Sequence, residues 1–209
     1  MKNALYDKFI KLDNILLEAC SIKMKNSILD KVMPKITRTN NYGQVYVVTA
    51  VILWRNNLTN LLNILLALSL GLLWGEGLIK YLVKRERPPA VSENYSYLIK
   101  FPHSFSFPSG HTTSSFAVLG VSWSLNLPYK YLILALAVVI SFSRVYLHVH
   151  YPSDIIGGVI LGFLCAVIAL KIPELHSLVL NTLADFNHSI NLKLLPGNPY
   201  GLLLTSGSG

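Results

Sequence analysis

From residue 4 to about 33, apolar side chains recur at helical spacing, with Leu5, Phe9, Leu12 and Leu16 on one face and Lys8, Lys11 and Asn14 elsewhere. Charges interrupt this stretch too often for it to span a bilayer. The pattern predicts one or two amphipathic helices lying in the membrane interface and ending at Pro34, although packing of the same helices on the rest of the domain fits the spacing equally well. Five apolar segments follow, at about Tyr42–Trp54, Leu58–Val83, His111–Leu127, Tyr129–Tyr146 and Ile155–Ile172. A span takes about 20 residues, and the first segment is short for one. Arg55, Asn56 and Asn57 after it, and Pro128 later, predict tight connections between antiparallel helices. The expected fold is all-α: a polytopic membrane helical bundle with about five transmembrane helices, preceded by interfacial amphipathic helices. The corresponding parts are residues 1–41, a bundle over 42–172 and a tail over 173–209 whose last residues, TSGSG, read as an appended linker. The opening MKNALYDKFIKLDN carries charges before any uniform apolar core, unlike a secretory signal, and is expected to stay in the mature chain.

Composition agrees with a membrane solvent. Hydrophobic residues make up 52% of the chain and charged ones 13%, against about 25% charged in a soluble domain. The formal charge of +8 does not point to nucleic acid, because the basic residues form neither a run nor a pattern interleaved with aromatics. Eight of the 18 Lys and Arg lie within Met1–Arg38, which suits an anionic lipid surface. Cys20 and Cys165 are the two cysteines, and Cys165 sits in an apolar run, so a disulfide framework is not indicated.

One connection stands apart. From Lys84 to Gly110 the chain is polar, aromatic and proline-rich, and a loop of that length is usually functional or disordered. Tyr95, Tyr97 and Phe101 in it suit the headgroup layer. Counting turns brings the end of the second segment, the start of the third and the junction of the fourth and fifth to one membrane face. Lys80, Arg87, His111, Arg144, His150 and Asp154 then converge, and an ionisable cluster at a bilayer edge is a candidate functional site. The three fixed cations cannot all be explained by Glu76, Glu86 and Asp154 without leaving the histidines unused, whereas an oxyanion with several oxygens, phosphate above all, would satisfy them.

The stretch FPSGHTTSSF, Phe107 to Phe116, places a turn before a helix, with Ser109 as N-cap and free backbone N–H groups aimed at an anion. Pro152 is suited to begin a helix, which puts His150 just ahead of it and Asp154 in its first turn. The carboxylate can then accept the His150 N–H and leave the other ring nitrogen free to attack phosphorus. His111 suits the role of general acid and base.

KYLVKRERP (Lys80 to Pro88), PSGH (Pro108 to His111) and SRVYLHVHYPSD (Ser143 to Asp154) together resemble the three-part signature of the type 2 phosphatidic acid phosphatase superfamily. The resemblance covers about Leu58 to Ile172. It implies a metal-independent, cofactor-free phosphatase acting on a lipid phosphate through a phosphohistidine intermediate. His150 would be the nucleophile, Asp154 its orienting partner and His111 the acid and base, with Lys80, Arg87, Arg144, Ser109 and Gly110 binding the phosphoryl oxygens. Two positions depart from the family: His148 stands where glycine is frequent, and Glu76 where an uncharged polar residue is common. Glu76 lies four residues before Lys80, so the two are spaced to pair.

Other readings fit less well. A zinc site built on His148 and His150 lacks further ligands at suitable spacing and faces an arginine. A vanadate haloperoxidase would share the cradle but is typically soluble, and a non-enzymatic phospholipid binder or transport component would not need His111, His150 and Asp154 together. His103 is expected in solvent, His148 facing the headgroups, and His176 and His188 on the surface. Short bacterial members of the family usually turn the site outward, which predicts an extracytoplasmic site in a multi-pass cell-membrane protein. The basic N-terminal arm argues for the reverse under the positive-inside rule.

Overall fold

A computed structural model describes residues 4–54, 57–90 and 97–193, with side chains described between residues 8 and 172 except at 9, 42, 53 and 54. Most of the described residues are helical, with no strand among them. Helix α1 (Ala4–Glu18) continues into a π-helical turn, Ala19–Lys23, and α2 spans Ser27–Thr39. A short 3-10 turn, Asn41–Gly43, leads into α3 (Gln44–Trp54). Helix α4 (Leu58–Val83) contains a π-helical stretch, Leu72–Ile79. Then come α5 (Gly110–Ser124), α6 (Lys130–Tyr146) and α7 (Pro152–Lys193). Met1–Ala169 form one compact unit and Leu170–Gly209 another. His176 and His188 lie outside the residues whose side chains are described.

The ends are set locally. Asn26 Oδ1 accepts the N–H groups of Ile28 and Leu29 and so caps α2, and Asn57 Oδ1 accepts from Asn60 N–H at the start of α4. Pro34 does not end α2, contrary to the sequence expectation. It forfeits one backbone bond, but the helix continues because Met33 and Thr37 on either side of it are buried. Met33 joins an apolar cluster with Tyr146, Leu147 and Val149, and Leu29 and Ile36 of α2 pack against it.

Helix α5 is the centre of the bundle. Eleven of its fifteen residues are buried, most of them Gly, Ala, Ser and Thr, and small side chains let helix backbones approach closely. Gly71 and Gly75 of α4 face Thr113, and Gly158 and Gly162 of α7 face the Ser109 and Thr113 carbonyls. This close approach brings the start of α7 beside the start of α5. The outward side is apolar: Leu62, Leu73 and Leu78 on α4, Leu132 and Val138 on α6, and Ile156, Ile160 and Val167 on α7 are all more than half exposed.

Among the described residues, two helices are long and apolar enough to cross a membrane, Leu58–Val83 and Pro152–Ile172. The other three expected spans correspond to shorter helices, α3 of 11 residues, α5 of 15 and α6 of 17.

Of the apolar face of α1 expected from the sequence, Leu12 and Leu16 are exposed, and the side chains of Leu5 and Phe9 lie outside those described. Asp13, Leu17 and Ser21 form the buried face instead.

Candidate active site

Lys80 directly follows the π-helical stretch of α4 and is 2% exposed. Its Nζ donates to Glu76 Oε2 at 2.8 Å and to Ser104 Oγ at 3.2 Å. The pair expected from the four-residue spacing therefore forms, and Glu76 also lies against Gly110, where a Cβ would run into its carboxylate. Lys84, with φ of 51°, breaks the helix and turns the chain into an extended segment that carries Arg87. Arg87 is held by the loop: Nε donates to the Ser104 carbonyl at 2.7 Å, Nη2 to Ser104 Oγ and the Phe105 carbonyl, and Nη1 to the Val149 carbonyl at 2.6 Å. Arg144, buried in the last turn of α6, donates from Nη1 to Thr37 Oγ1 at 2.6 Å and leaves its Nε without a partner.

His150 is 1% exposed. Its Nε2 lies 3.0 Å from Arg87 Nη1 and its Nδ1 lies 3.5 Å from Asp154 Oδ2. A guanidinium only donates, so Nε2 is the acceptor and the ring proton sits on Nδ1, facing Asp154. The tautomer is the one an Nε2 nucleophile requires. Burial, then Arg87, Arg144, Lys80 and His111, holds His150 well below the ordinary histidine value of 6.5, so the ring is neutral near pH 7. Burial also lowers Arg87 to about 10 against the pull of Glu76 and Asp154, which leaves it charged at that pH.

Asp154 is fully buried as the third residue of α7, and its Oδ2 accepts the Tyr151 N–H at 2.8 Å, a reciprocal cap at the helix start. Its Oδ1 accepts from Arg85 Nη1 at 2.7 Å. His111, in the first turn of α5, places Nε2 3.2 Å from the Thr37 carbonyl. That nitrogen carries the proton, and Nδ1 is the basic one.

Lys80, Arg87, Gly110, His111, Arg144 and His150 line one cavity of about 450 Å³, with Glu76 also in its wall. Ser109 is placed differently: its hydroxyl is fully buried and accepts from the Thr112 N–H and hydroxyl, so it caps α5 and stands behind the wall. His103 is exposed at the rim. His148 does not face the headgroups as expected. It is 5% exposed, with Nδ1 2.8 Å from Ser21 Oγ and Nε2 3.0 Å from the Pro89 carbonyl, because its φ of 58° turns the chain inward. Tyr95 lies outside the described residues.

Sequence reasoning missed several partners. Ser104 binds both Lys80 and Arg87, Thr37 binds both Arg144 and His111, and Asn40 Nδ2 donates to the His111 carbonyl. Arg85 was visible as an extra cation inside KYLVKRERP, but its partners are far away in sequence.

A model of the PAP2 superfamily matches residues 58–177, more than half of the chain. The chain belongs to the PAP2 superfamily. Among solved structures it resembles LpxE of Aquifex aeolicus, with a TM-score of 0.67 and 25% identity over 77% of this chain and 95% of that one. It also resembles a PAP2-type phosphatidylglycerolphosphate phosphatase of Bacillus subtilis, with a TM-score of 0.64 and 26% identity over 80% and 87%. Among curated proteins it is 42% identical over 90 residues to a decaprenylphosphoryl-5-phosphoribose phosphatase of Mycobacterium tuberculosis, covering 41% of this chain and 46% of that protein. The match thus spans about half of that relative's length. An undecaprenyl-diphosphatase of Sulfolobus acidocaldarius is 34% identical over 65% of this chain and 68% of its own length. As a PAP2 superfamily protein with two helices apolar enough to span, the chain is a helical membrane protein.

Proposed function

We propose that this PAP2 protein is a lipid phosphatase that works through a phosphohistidine on His150 Nε2. The observation that carries the reading is the position of that nitrogen: a neutral ring with its proton toward Asp154 and its lone pair toward Arg87, in the wall of a cavity that also holds Lys80, Arg144 and His111. A phosphoryl group entering the cavity takes Arg87 Nη1 as an oxygen ligand and releases it from Nε2. The Nε2 lone pair then forms the P–N bond as the P–O bond to the leaving group breaks, and the conjugate acid of His111 protonates the departing oxygen. Neutral His111 next removes a proton from water. The hydroxyl attacks phosphorus, the P–N pair returns to Nε2, and phosphate leaves. Lys80, Arg87 and Arg144 neutralise the charge on the equatorial oxygens throughout.

Five cations, Arg38, Lys80, Arg87, Lys100 and Arg144, against a single carboxylate among the described lining residues suit an anion directly and would repel a metal ion, so the reaction needs none. The substrate is a lipid phosphate or diphosphate, of the phosphatidic acid, phosphatidylglycerol phosphate or undecaprenyl diphosphate type. Relatives named undecaprenyl-diphosphatase, phosphatidylglycerophosphatase B and lipid A 1-phosphatase support that class. Exposed apolar side chains on α3, α4, α6 and α7 support a multi-pass bundle in which the lipid tail stays in the bilayer while the headgroup reaches the cavity. The active site faces the extracytoplasmic side, and a Lys100→Cys probe beside the cavity should react with an impermeant maleimide added to intact cells.

His150→Ala should abolish phosphate release in detergent while leaving the thermal unfolding midpoint in place. His111→Ala should accumulate an acid-labile phosphoryl-enzyme. Unchanged turnover in His150→Ala refutes the nucleophile, and loss of activity on chelation refutes the metal-free route.

A further inference from the structure

Asp13 on α1 is 4% exposed, although its helix reads as an amphipathic surface element. A buried carboxylate is costly unless it is paired and hydrogen-bonded, and the partners of Asp13 all belong to the active-site scaffold. Its Oδ2 accepts from Arg85 Nη2 at 2.6 Å and from Ser153 Oγ at 2.6 Å, and its Oδ1 accepts from Ser153 N–H at 2.9 Å. Ser153 is the second residue of α7, so a side chain from 140 residues away caps the helix that carries Asp154. Arg85 closes the link. Its Nη1 donates to Ser153 Oγ at 2.6 Å and to Asp154 Oδ1 at 2.7 Å, and its guanidinium lies 4.0 Å over the Tyr151 ring.

We infer that Asp13 is a positioning residue for catalysis: through Arg85 and Ser153 it fixes the Asp154 carboxylate behind His150, making the N-terminal helix a working part of the active site. The inference rests on the function proposed above. Arg85 faces two carboxylates, and Asp13 takes up part of its charge. Without that charge Arg85 would pair with Asp154 alone, drawing its field away from His150 Nδ1–H, which lies 3.5 Å from the carboxylate. The imidazolium-like charge that His150 gains when it attacks would then be less well supported. The other groups facing His150 are Arg87, Arg144, Lys80 and His111, all of which oppose a proton there, while Glu76 bears on Arg87 from across the cavity. Asp13 touches none of the cradle cations Lys80, Arg87 and Arg144, so its loss should weaken turnover and leave phosphate binding alone.

The test is Asp13→Asn in the full-length protein, assayed for phosphate release from lipid phosphate in detergent, with Glu18→Gln on the same helix as control. The expected result is a kcat lower by roughly tenfold to a hundredfold, by analogy with loss of the outer hydrogen-bond partner of a metal-bound histidine. KM and the inhibition constant of inorganic phosphate should stay within about twofold. The acid limb of kcat/KM should move to lower pH, because the uncompensated Arg85 disfavours a proton on His150. Asp13→Glu should restore part of kcat, and Asp13→Asn should cost little in an Arg85→Ala background. An unchanged kcat, an unmoved acid limb or additive effects in the double variant would overturn the inference. If Asp13→Asn does not fold, Ser153→Ala removes one bond of the same link, and an unchanged kcat there overturns it equally. Unaltered phosphate release in His150→Ala would instead overturn the underlying function, so the two failures are separable.

Discussion

Replacing Glu76 by glutamine removes the one carboxylate among the described residues lining the candidate site's cavity while keeping the side chain's size. Glu76 Oε2 sits 2.8 Å from Lys80 Nζ, and Lys80 has a single other partner, Ser104 Oγ. An incoming phosphoryl group must therefore compete with Glu76 for Lys80. An exposed pair at this spacing is worth about 0.3–0.5 kcal/mol, and breaking a fully buried one costs about 3–5 kcal/mol. Here the lysine is buried and the glutamate one-third exposed, which places the competition at about 1–2 kcal/mol, between those limits. Glu76→Gln should therefore tighten inorganic phosphate and vanadate by roughly fivefold to thirtyfold. The assay is competitive inhibition of lipid-phosphate hydrolysis at fixed ionic strength. Gly110→Ala should act in the same direction if displacement of Glu76 is its main effect, because the added Cβ occupies the place of that carboxylate. Inhibition constants that stay constant or rise in Glu76→Gln would refute the argument, and a fall in kcat at constant affinity would assign Glu76 to the chemistry instead.

Arg87→Ala should leave residual activity whose acid limb in kcat/KM rises toward 6.5, since burial and then Arg87 hold His150 low; an NMR titration of the His150 ring checks this independently of turnover. The same depression means that His150 stays neutral in the folded protein while the unfolded chain takes up a proton. Stability should fall as pH drops below about 6.5, and less so in His150→Ala, as read by thermal unfolding at a series of pH values. Gly162→Ala would place a Cβ 2.7 Å from the Thr113 carbonyl oxygen and 2.9 Å from the Ala117 nitrogen, backbone atoms that cannot turn aside. It should cost about 1–3 kcal/mol. Gly158→Ala, 2.9 Å from the Ser109 carbonyl oxygen, should cost activity as well, because it pushes the helix bearing Asp154 from the start of α5.

Much of the site follows from features close together in the chain. Pro152 starts a helix and puts Asp154 in its first turn beside His150, Ser109 caps α5, and Glu76 pairs with Lys80 one turn away. Covalent spacing and backbone sterics settle such geometry before any tertiary contact forms. The apolar segments likewise declared a helical bundle, although how far each helix extends was decided by packing, as the uninterrupted α2 through Pro34 illustrates. What only the folded chain decided was which distant groups hold the candidate site residues. Asp13, Thr37 and Ser104 are ordinary polar residues in helix or loop contexts, and each reads most simply as exposed to solvent. They became partners of Arg85, Arg144, Lys80 and Arg87 because close packing around α5 removes water from those cations, and a desolvated charge must find its hydrogen bonds in whatever segment the fold lays beside it. Periodicity records which face of a helix is apolar, but not which neighbour will cover the polar one.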